Sequence, residues 1–128
     1  MDVQDIYQYF QNPPPIYITK EVGVCYVLSV LLEQGDSYGT ALLQKIRASH
    51  SPYRISDTVL YAALNFLIGE EIICGYWQNE AGRGRPRRMY QIIETKRKEA
   101  EKLSRLWAEY LGGDRSADSL LSRQGADL

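Results

Sequence analysis

Apolar and polar positions recur at helical spacing over the first third of the chain. The pattern predicts a short amphipathic helix over residues 2–11, with Asp2 as its N-cap, and a second helix over residues 19–34, capped by Thr19. The second helix is apolar around most of its circumference, so we expect it to lie at the centre of the fold. Between the two helices, Pro13-Pro14-Pro15 forces an extended path. The first helix is therefore expected to be an arm outside the core.

Two more helices are predicted in the middle of the chain. The third begins at an Asp36-Ser37 cap and stops before Ser51-Pro52. The fourth is capped by Ser56 and has apolar residues at intervals of three, four and seven. Such a stripe is typical of a helix that packs one face on a core and leaves the other face free.

The hydrophobic period changes after the fourth helix. Residues 72–77 and 89–93 are short and rich in β-branched and aromatic types, which predicts two strands. The segment 78–88 between them contains two glycines and a proline and must turn, so the strands form a hairpin. Helical spacing returns over residues 95–111, whereas residues 112–128 have no period.

This order of elements predicts a mainly α fold with a small β-hairpin, the layout of a winged helix-turn-helix domain. Residues 1–18 form an N-terminal helical arm, 19–94 the winged-helix domain, 95–111 a long C-terminal dimerisation helix and 112–128 a mobile tail. In such a domain the last core helix enters the major groove of double-stranded DNA. The hairpin, or wing, follows the backbone or probes the minor groove.

Composition agrees with one globular domain. The chain has 128 residues, of which 45% are hydrophobic and 24% charged, values that exclude a wholly disordered or collagen-like chain. No apolar run is long enough for a membrane span, and the first residues lack the pattern of a signal peptide. We therefore expect a cytoplasmic protein without membrane contact.

The residues able to do metal or redox chemistry are few. Cys25 and Cys74 cannot make a disulfide scaffold, and with a single histidine, His50, they do not make a zinc site. We expect both cysteines to be buried and reduced, and His50 to cap the third helix. Because no nucleophile, phosphate-loop or metal-ligand motif accompanies them, we expect no cofactor and no enzymatic activity.

Positive charge is concentrated around the hairpin. Residues 81–105 carry nine bases and three acids, a net charge of +6 in a chain whose net charge is −1. The hairpin tip holds four arginines: Arg83, Arg85, Arg87 and Arg88. Guanidinium groups pair with phosphates and fit narrow minor grooves, so we predict that these four residues bind DNA. The alternative is a solvated loop that protects the hairpin edge from aggregation.

The fourth helix has a second face once its apolar stripe is removed. On that face Asn65 can pair with adenine, Tyr61 can reach a phosphate, and Thr58 can do either. With Ser56 at the helix start, these are the predicted DNA-binding residues of the helix. The alternative is an ordinary solvated surface with Tyr61 packed sideways.

Several short motifs occur together in one known family. They are Ser37-Tyr38-Gly39, Ser56, Leu60-Tyr61, Ala63-Leu64, Leu67, residues 70–73, Gly84-Arg85-Pro86-Arg87-Arg88, Tyr90 and Ile92. Over residues 22–107 the chain resembles the PadR-like winged-helix transcriptional regulators. The family commonly has proline where this chain has Ala62, a basic or polar residue at Phe66 and glycine at Glu71. Phe66 therefore departs from a family-type base contact.

The resemblance implies a repressor that binds a pseudo-palindromic DNA site as a homodimer, with the long final helices crossing between protomers. An apolar stripe on the last helix would be left exposed in a domain this small. We therefore predict as dimer interface Leu103, Leu106, Trp107, Tyr110 and Leu111. Two alternatives to this dimer stay open. In the first, the last helix packs on the core of its own chain. In the second, Trp107 lines a pocket for a small-molecule effector, as in ligand-sensing members of the resembled family.

Overall fold

The computed structural model describes residues 1–79 and 84–115, and side chains up to residue 113. It contains five α-helices and a small three-stranded sheet, so the winged-helix prediction is confirmed. Arg83 at the wing tip and the tail from residue 116 lie outside the described residues. The elements are α1 (Val3–Gln11), β1 (Ile16–Tyr17), α2 (Lys20–Gln34), β2 (Ser37–Tyr38), α3 (Gly39–Ser49), β3 (Tyr53–Arg54), α4 (Asp57–Gly69), β4 (Ile73–Gln78), β5 (Arg87–Ile92), a 3-10 turn (Glu94–Lys96) and α5 (Arg97–Arg115).

Helix α2 lies at the centre of the core, as its apolar circumference predicts. Tyr26, Val27 and Leu28 are fully buried between α4 on one side and α5 on the other. The Tyr26 hydroxyl donates a 2.6 Å hydrogen bond to the Leu42 carbonyl of α3, and burial raises the pKa of this phenol. The helix ends at Gly35, whose φ of 87° suits a residue without Cβ.

The third helix begins later than predicted. Its N-cap is Tyr38, because Ser37 and Tyr38 form a strand that pairs with β5 instead of capping the helix. The Asp36 carboxylate accepts a 2.6 Å hydrogen bond from the Tyr76 hydroxyl, which raises the pKa of Tyr76. The base of the hairpin is thus tied to the turn between α2 and α3.

The arm is anchored at its end nearest the core. Strand β1 pairs in parallel with β3, and none of the residues of α1 is buried. Ile18, placed in the arm by the sequence, is only 3% exposed and belongs to the core. Asp2 caps α1 as predicted, in a reciprocal capping box with Asp5.

Helix α5 is longer than its apolar pattern predicts. The helix continues through Gly112 and Gly113 to Arg115, so residues 112–115 do not belong to an irregular tail. It packs along α2, and Trp107 is 3% exposed. No helix within the described ranges combines the length and the hydropathy that a membrane span requires.

The cysteine prediction is confirmed for one residue and wrong for the other. Cys25 is buried in α2, and burial raises the pKa of its thiol. Cys74 is half-buried, because alternate residues of β4 face away from the core, and its Sγ lies 3.8 Å from Gln91 Oε1. His50 is the C-cap of α3, as predicted, and its backbone N–H donates to the Ile46 carbonyl.

Candidate nucleic-acid interface

Helix α4 has the two faces that the sequence predicts. The Ser56 Oγ caps it by accepting a 3.1 Å hydrogen bond from the Val59 amide. Thr58 and Asn65 are exposed on the face opposite the core, with free side chains at a spacing that keeps them on one side. Ser56 therefore shapes the helix start, while Thr58 and Asn65 are available to a groove. The stripe that packs on the core is Leu60, Ala63, Leu64 and Leu67.

Tyr61 packs sideways while remaining partly exposed. Its hydroxyl lies against Gly39 at the start of α3, where an added Cβ would collide with the phenol oxygen. The ring keeps 44% of its surface exposed. Gly39 is thus required for the close approach of α3 and α4. Tyr61 contacts α3 through its hydroxyl and also contributes to the exposed face of α4.

Phe66 does not lie on this polar face. It is exposed in an apolar groove beside α2 and α5, together with Val24, Leu103 and Leu106. The departure from the family residue at this position therefore leaves Thr58 and Asn65 untouched. At Glu71 the backbone φ is 59°, which explains why glycine suits that position in the resembled family.

The wing is the hairpin of β4 and β5, and its register sends neighbouring arginines to opposite faces. Trp77 pairs with Arg88, and Gln78 pairs with Arg87. The Arg87 guanidinium lies 4.0 Å from the centre of the Tyr38 ring, on one face. The Arg88 guanidinium lies 5.3 Å from the centre of the Trp77 ring, on the other. Cation–π contacts hold both groups in place without neutralising them.

Arg88 occupies space that only glycine provides. Its guanidinium atoms lie 2.7–2.8 Å from where a Cβ on Gly75 would be, so the side chain crosses the strand over that residue. Among the described residues, the ion pairs are those of Arg97 with Glu94 and of the N-terminus with Asp5. Arg88 thus faces aromatic rings and not a carboxylate, and its charge stays available.

Strand pairing and side-chain packing join the wing to α4. Strand β5 pairs with β2, and Gly39, which directly follows β2, contacts the Tyr61 hydroxyl of α4. Tyr90 of β5 pairs with Gly75, over which the Arg88 guanidinium lies, and burial raises the pKa of Tyr90. We call Thr58, Tyr61, Asn65 and Arg88 the wing–helix surface, and Tyr90 is buried next to Arg88. Arg85, at the near side of the tip, is exposed.

The exposed aromatic ring of the wing was missed by sequence reasoning. Trp77 is 64% exposed, although a hairpin strand that begins at the buried Ile73 gives little reason to expect it. Strand alternation argues for burial of Trp77 and not for exposure, so the available signal is the glycine two residues before it. Gly75 and Trp77 share the face of Ile73, and the missing side chain at Gly75 makes room for Arg88 beside the indole.

The predicted dimer residues of α5 have different environments. Trp107 is 3% exposed within the single chain, as in the alternative in which the helix packs on its own core, and its part in a dimer stays a prediction. Leu103, Tyr110 and Leu111 are partly buried against the same core, and Leu106 is 50% exposed. The Trp107 and Tyr110 rings stack at 5.8 Å with an interplanar angle of 18°. Trp107 also lines a cleft with His50 and Leu111, so a site for a small-molecule effector at this indole stays a prediction.

The fold and the wing–helix surface define a winged-helix DNA-binding regulator. The transcriptional regulator PadR-like family model matches residues 27–102, more than half of the chain. The chain therefore belongs to this family, which consists of DNA-binding regulators and not of enzymes. Comparison with curated protein sequences gives no match.

Solved structures add closer relatives. The circadian clock associated protein Pex from Anabaena is 52% identical, covers 91% of this chain and 100% of its own, and has a TM-score of 0.76. Pex from Synechococcus is 54% identical, covers 87% and 98%, and has a TM-score of 0.79. These matches agree with the prediction, drawn from the tyrosine-rich arm with Tyr7, Tyr9 and Tyr17, that the chain is similar to the period-extender protein of the cyanobacterial clock.

A more distant structure shows the fold alone. A PadR family transcription regulator from Clostridium difficile is 20% identical, covers 78% of this chain and 97% of its own, and has a TM-score of 0.57.

Proposed function

We propose that the protein is a sequence-specific transcriptional repressor that binds a pseudo-palindromic DNA site as a homodimer. The observation that carries this proposal is the wing–helix surface. In it the Arg88 guanidinium lies over Gly75 and Trp77 with no ion pair among the described residues, while Thr58 and Asn65 of α4 are exposed. A groove-binding helix and a cationic wing on one surface suit a duplex, because the helix meets base edges while the wing meets phosphates.

The role proposed for each DNA-binding residue follows from the chemistry of its side chain. Thr58 and Asn65 read base edges in the major groove, since an amide can pair with adenine through two hydrogen bonds. Arg85, Arg87 and Arg88 contact the backbone or the minor groove beside it, where guanidinium groups are favoured. Arg83 is proposed to join them from the part of the tip outside the described residues.

Regulation of a circadian clock gene is the proposed biological role. The two Pex proteins that are 52% and 54% identical come from cyanobacteria, and the Anabaena protein is named as associated with the circadian clock. Identity at this level over most of both chains supports a shared target class.

The proposed dimer uses the outer side of α5. Leu106 is half exposed there, and Leu103, Tyr110 and Leu111 flank it, with Trp107 supporting them from inside the core. Leu106→Asp would bury a charge in that contact and should convert a dimer to a monomer in sedimentation. A monomeric parent, or a dimer unchanged by the substitution, would contradict this interface.

A salt series tests DNA binding itself. A short duplex is first enriched from a random pool by the parent protein, and its dissociation constant is then measured across KCl concentrations. Each phosphate contact contributes about 0.9 to the slope of log K on log salt, so Arg85→Ala or Arg87→Ala in a dimer should reduce the slope by roughly 1.8. Arg105→Ala on α5 removes the same charge elsewhere and should match the parent. Unchanged slopes in both wing variants would overturn the proposal.

The reading of bases is tested on the same duplex. Asn65→Ala should cost about 1–3 kcal/mol at one position of each half-site and leave affinity for a scrambled duplex nearly intact. Equal losses on both duplexes would show that Asn65 reads no base.

A further inference from the structure

A second cationic cleft lies beside the start of α4, apart from the wing. Its walls are Tyr17 of β1, one face of α3 and the segment that leads into α4. The polar side chains that line it are those of Tyr17, Thr40, Gln44, Arg47, Arg54, Ser56 and Asp57. Two of these are cations and one is an acid, so the cleft has a net positive charge.

Arg54 is fixed in this cleft by its backbone. It pairs with Tyr17 in the parallel contact of β3 with β1, and its carbonyl accepts a 2.9 Å hydrogen bond from the Ile18 amide. Because Ile18 is a core residue, the base of the Arg54 side chain has little freedom. The arm, which carries no Lys or Arg over residues 1–19, thus builds one wall of a cationic site.

The guanidinium of Arg54 lacks the partners that a half-buried cation normally has. Its Nε is buried without a hydrogen-bond partner, and no ion pair joins it to Asp57 among the described residues. An unsatisfied donor of this kind costs free energy in the unliganded protein. Because this Nε is closed to a ligand, an anion in the cleft can meet only the terminal Nη groups of Arg54, whose charge has no acidic partner among the described residues.

The position of the cleft and the hydrogen-bond donors that line it favour a phosphodiester as the ligand. A planar guanidinium donates two parallel hydrogen bonds to a phosphate, and Thr40, Gln44 and Ser56 add neutral donors around it. The cleft adjoins the end of α4 at which the helix dipole is positive, which favours the same charge. When α4 lies in the major groove of a duplex, a DNA backbone passes close to the N-terminal end of this helix.

We propose that this cleft binds a backbone phosphate of the DNA strand that flanks α4, with Arg54 as the main ligand and Arg47 beside it. The proposal rests on the proposed function and adds an anchor that the wing does not provide. It also gives the arm a role in binding, because β1 holds β3 and so holds Arg54.

The test is the salt dependence of duplex binding by the full chain. Arg54→Met keeps the length of the stem and removes the charge, so the slope for a dimer should fall by roughly 1.8. Affinity for the enriched duplex and for a scrambled one should fall by the same factor, because a phosphate carries no sequence information. Arg54→Lys keeps the charge and should retain most of the slope. Arg105→Met is the matched control and should behave as the parent.

The outcomes separate this proposal from the function it rests on. If Arg54→Met leaves the slope unchanged while the wing variants reduce it, the cleft is not a phosphate site and the proposed function stands. A loss confined to the enriched duplex would make Arg54 a reader of bases and would overturn the phosphate assignment. A parent protein without salt-dependent duplex binding would overturn both. Thermal unfolding of each variant without DNA shows whether it is folded.

A second arm distinguishes DNA from a free anion. Inorganic phosphate should shift the thermal unfolding midpoint of the parent and of Arg54→Met equally, since the cleft needs the rest of the duplex for affinity. A shift seen only in the parent, together with an unchanged salt slope, would mean a site for free phosphate and would overturn the DNA assignment.

Discussion

The two tryptophans of the chain lie in opposite environments. Trp107 is 3% exposed, with ring centres of Tyr26, His50 and Tyr53 at 5.2, 5.3 and 6.2 Å. Trp77 is 64% exposed, and the Arg88 guanidinium lies over its ring. The first ring completes a core, whereas the second forms a platform under a cation at the surface.

This difference separates a buried region that stabilises the fold from the wing side, which the proposed function assigns to DNA. Around Trp107 the rings meet mainly edge to face, an arrangement that adds to the stability gained by burial. Around Trp77 a charge is kept in place and in contact with solvent. Under the proposed function, the aromatic residue on the wing belongs to the DNA-binding side, whereas the one on α5 belongs to the core.

The largest expected effect is on stability. Trp107→Ala should lower the free energy of unfolding by about 3–5 kcal/mol, because removal of the indole leaves a cavity lined by other rings. Trp77→Ala, at an exposed position, should change it by less than about 0.5 kcal/mol. Chemical denaturation of both variants gives the comparison. Equal losses would erase the distinction between the two sides.

A smaller effect is expected from the glycine beneath Arg88. Gly75→Ala places a Cβ where the guanidinium lies, so Arg88 must move off the strand. We expect duplex binding to weaken by about 1–2 kcal/mol, the scale of a hydrogen bond to a charged group, with little change in unfolding. Arg88→Ala should cost about as much. The double variant should add nothing further, and an additive result would show that Gly75 acts independently of Arg88.

The smallest effect is the pH dependence of the Trp107 cluster. Burial, followed by the nearby Lys45, lowers the pKa of His50 in the folded chain. The unfolded chain therefore binds this proton first, so the neutral ring contributes stability at pH 7 that is lost as the pH falls below about 6.5. His50→Gln should flatten this part of the stability curve. If the free energy of unfolding changes equally with pH in the parent and in His50→Gln, the titrating group is not His50.

Local patterns predicted the elements that depend on their own residues. The Ser56 cap and the stripe of Leu60 and Leu64 define α4 without outside help, and the structure agrees. The predicted start of α3 was wrong because β2 forms by pairing with Met89 and Tyr90 of β5, which are distant in sequence. Pairing of this kind leaves no trace in the helical period.

The environments of exposed and buried rings could not be predicted for a similar reason. A stripe on α5 shows that Trp107 needs a cover, but not whether the cover is a partner or α2. The sideways packing of Tyr61 depends on Gly39 in another helix, and the cleft at Arg54 depends on the arm. Each of these features is a contact between two segments, and the hydrophobic pattern of one segment carries no information about the other.

The central claim, that DNA meets the wing side and not the α5 side, is tested most directly with single-tryptophan variants. Trp107→Phe leaves only Trp77, and Trp77→Phe leaves only Trp107. Titration with the enriched duplex should change the emission of Trp77, because the duplex covers the ring and draws Arg88 to a phosphate. The emission of Trp107 should stay constant. A saturated complex in which Trp77 emission is unchanged, or in which only Trp107 responds, would contradict the account.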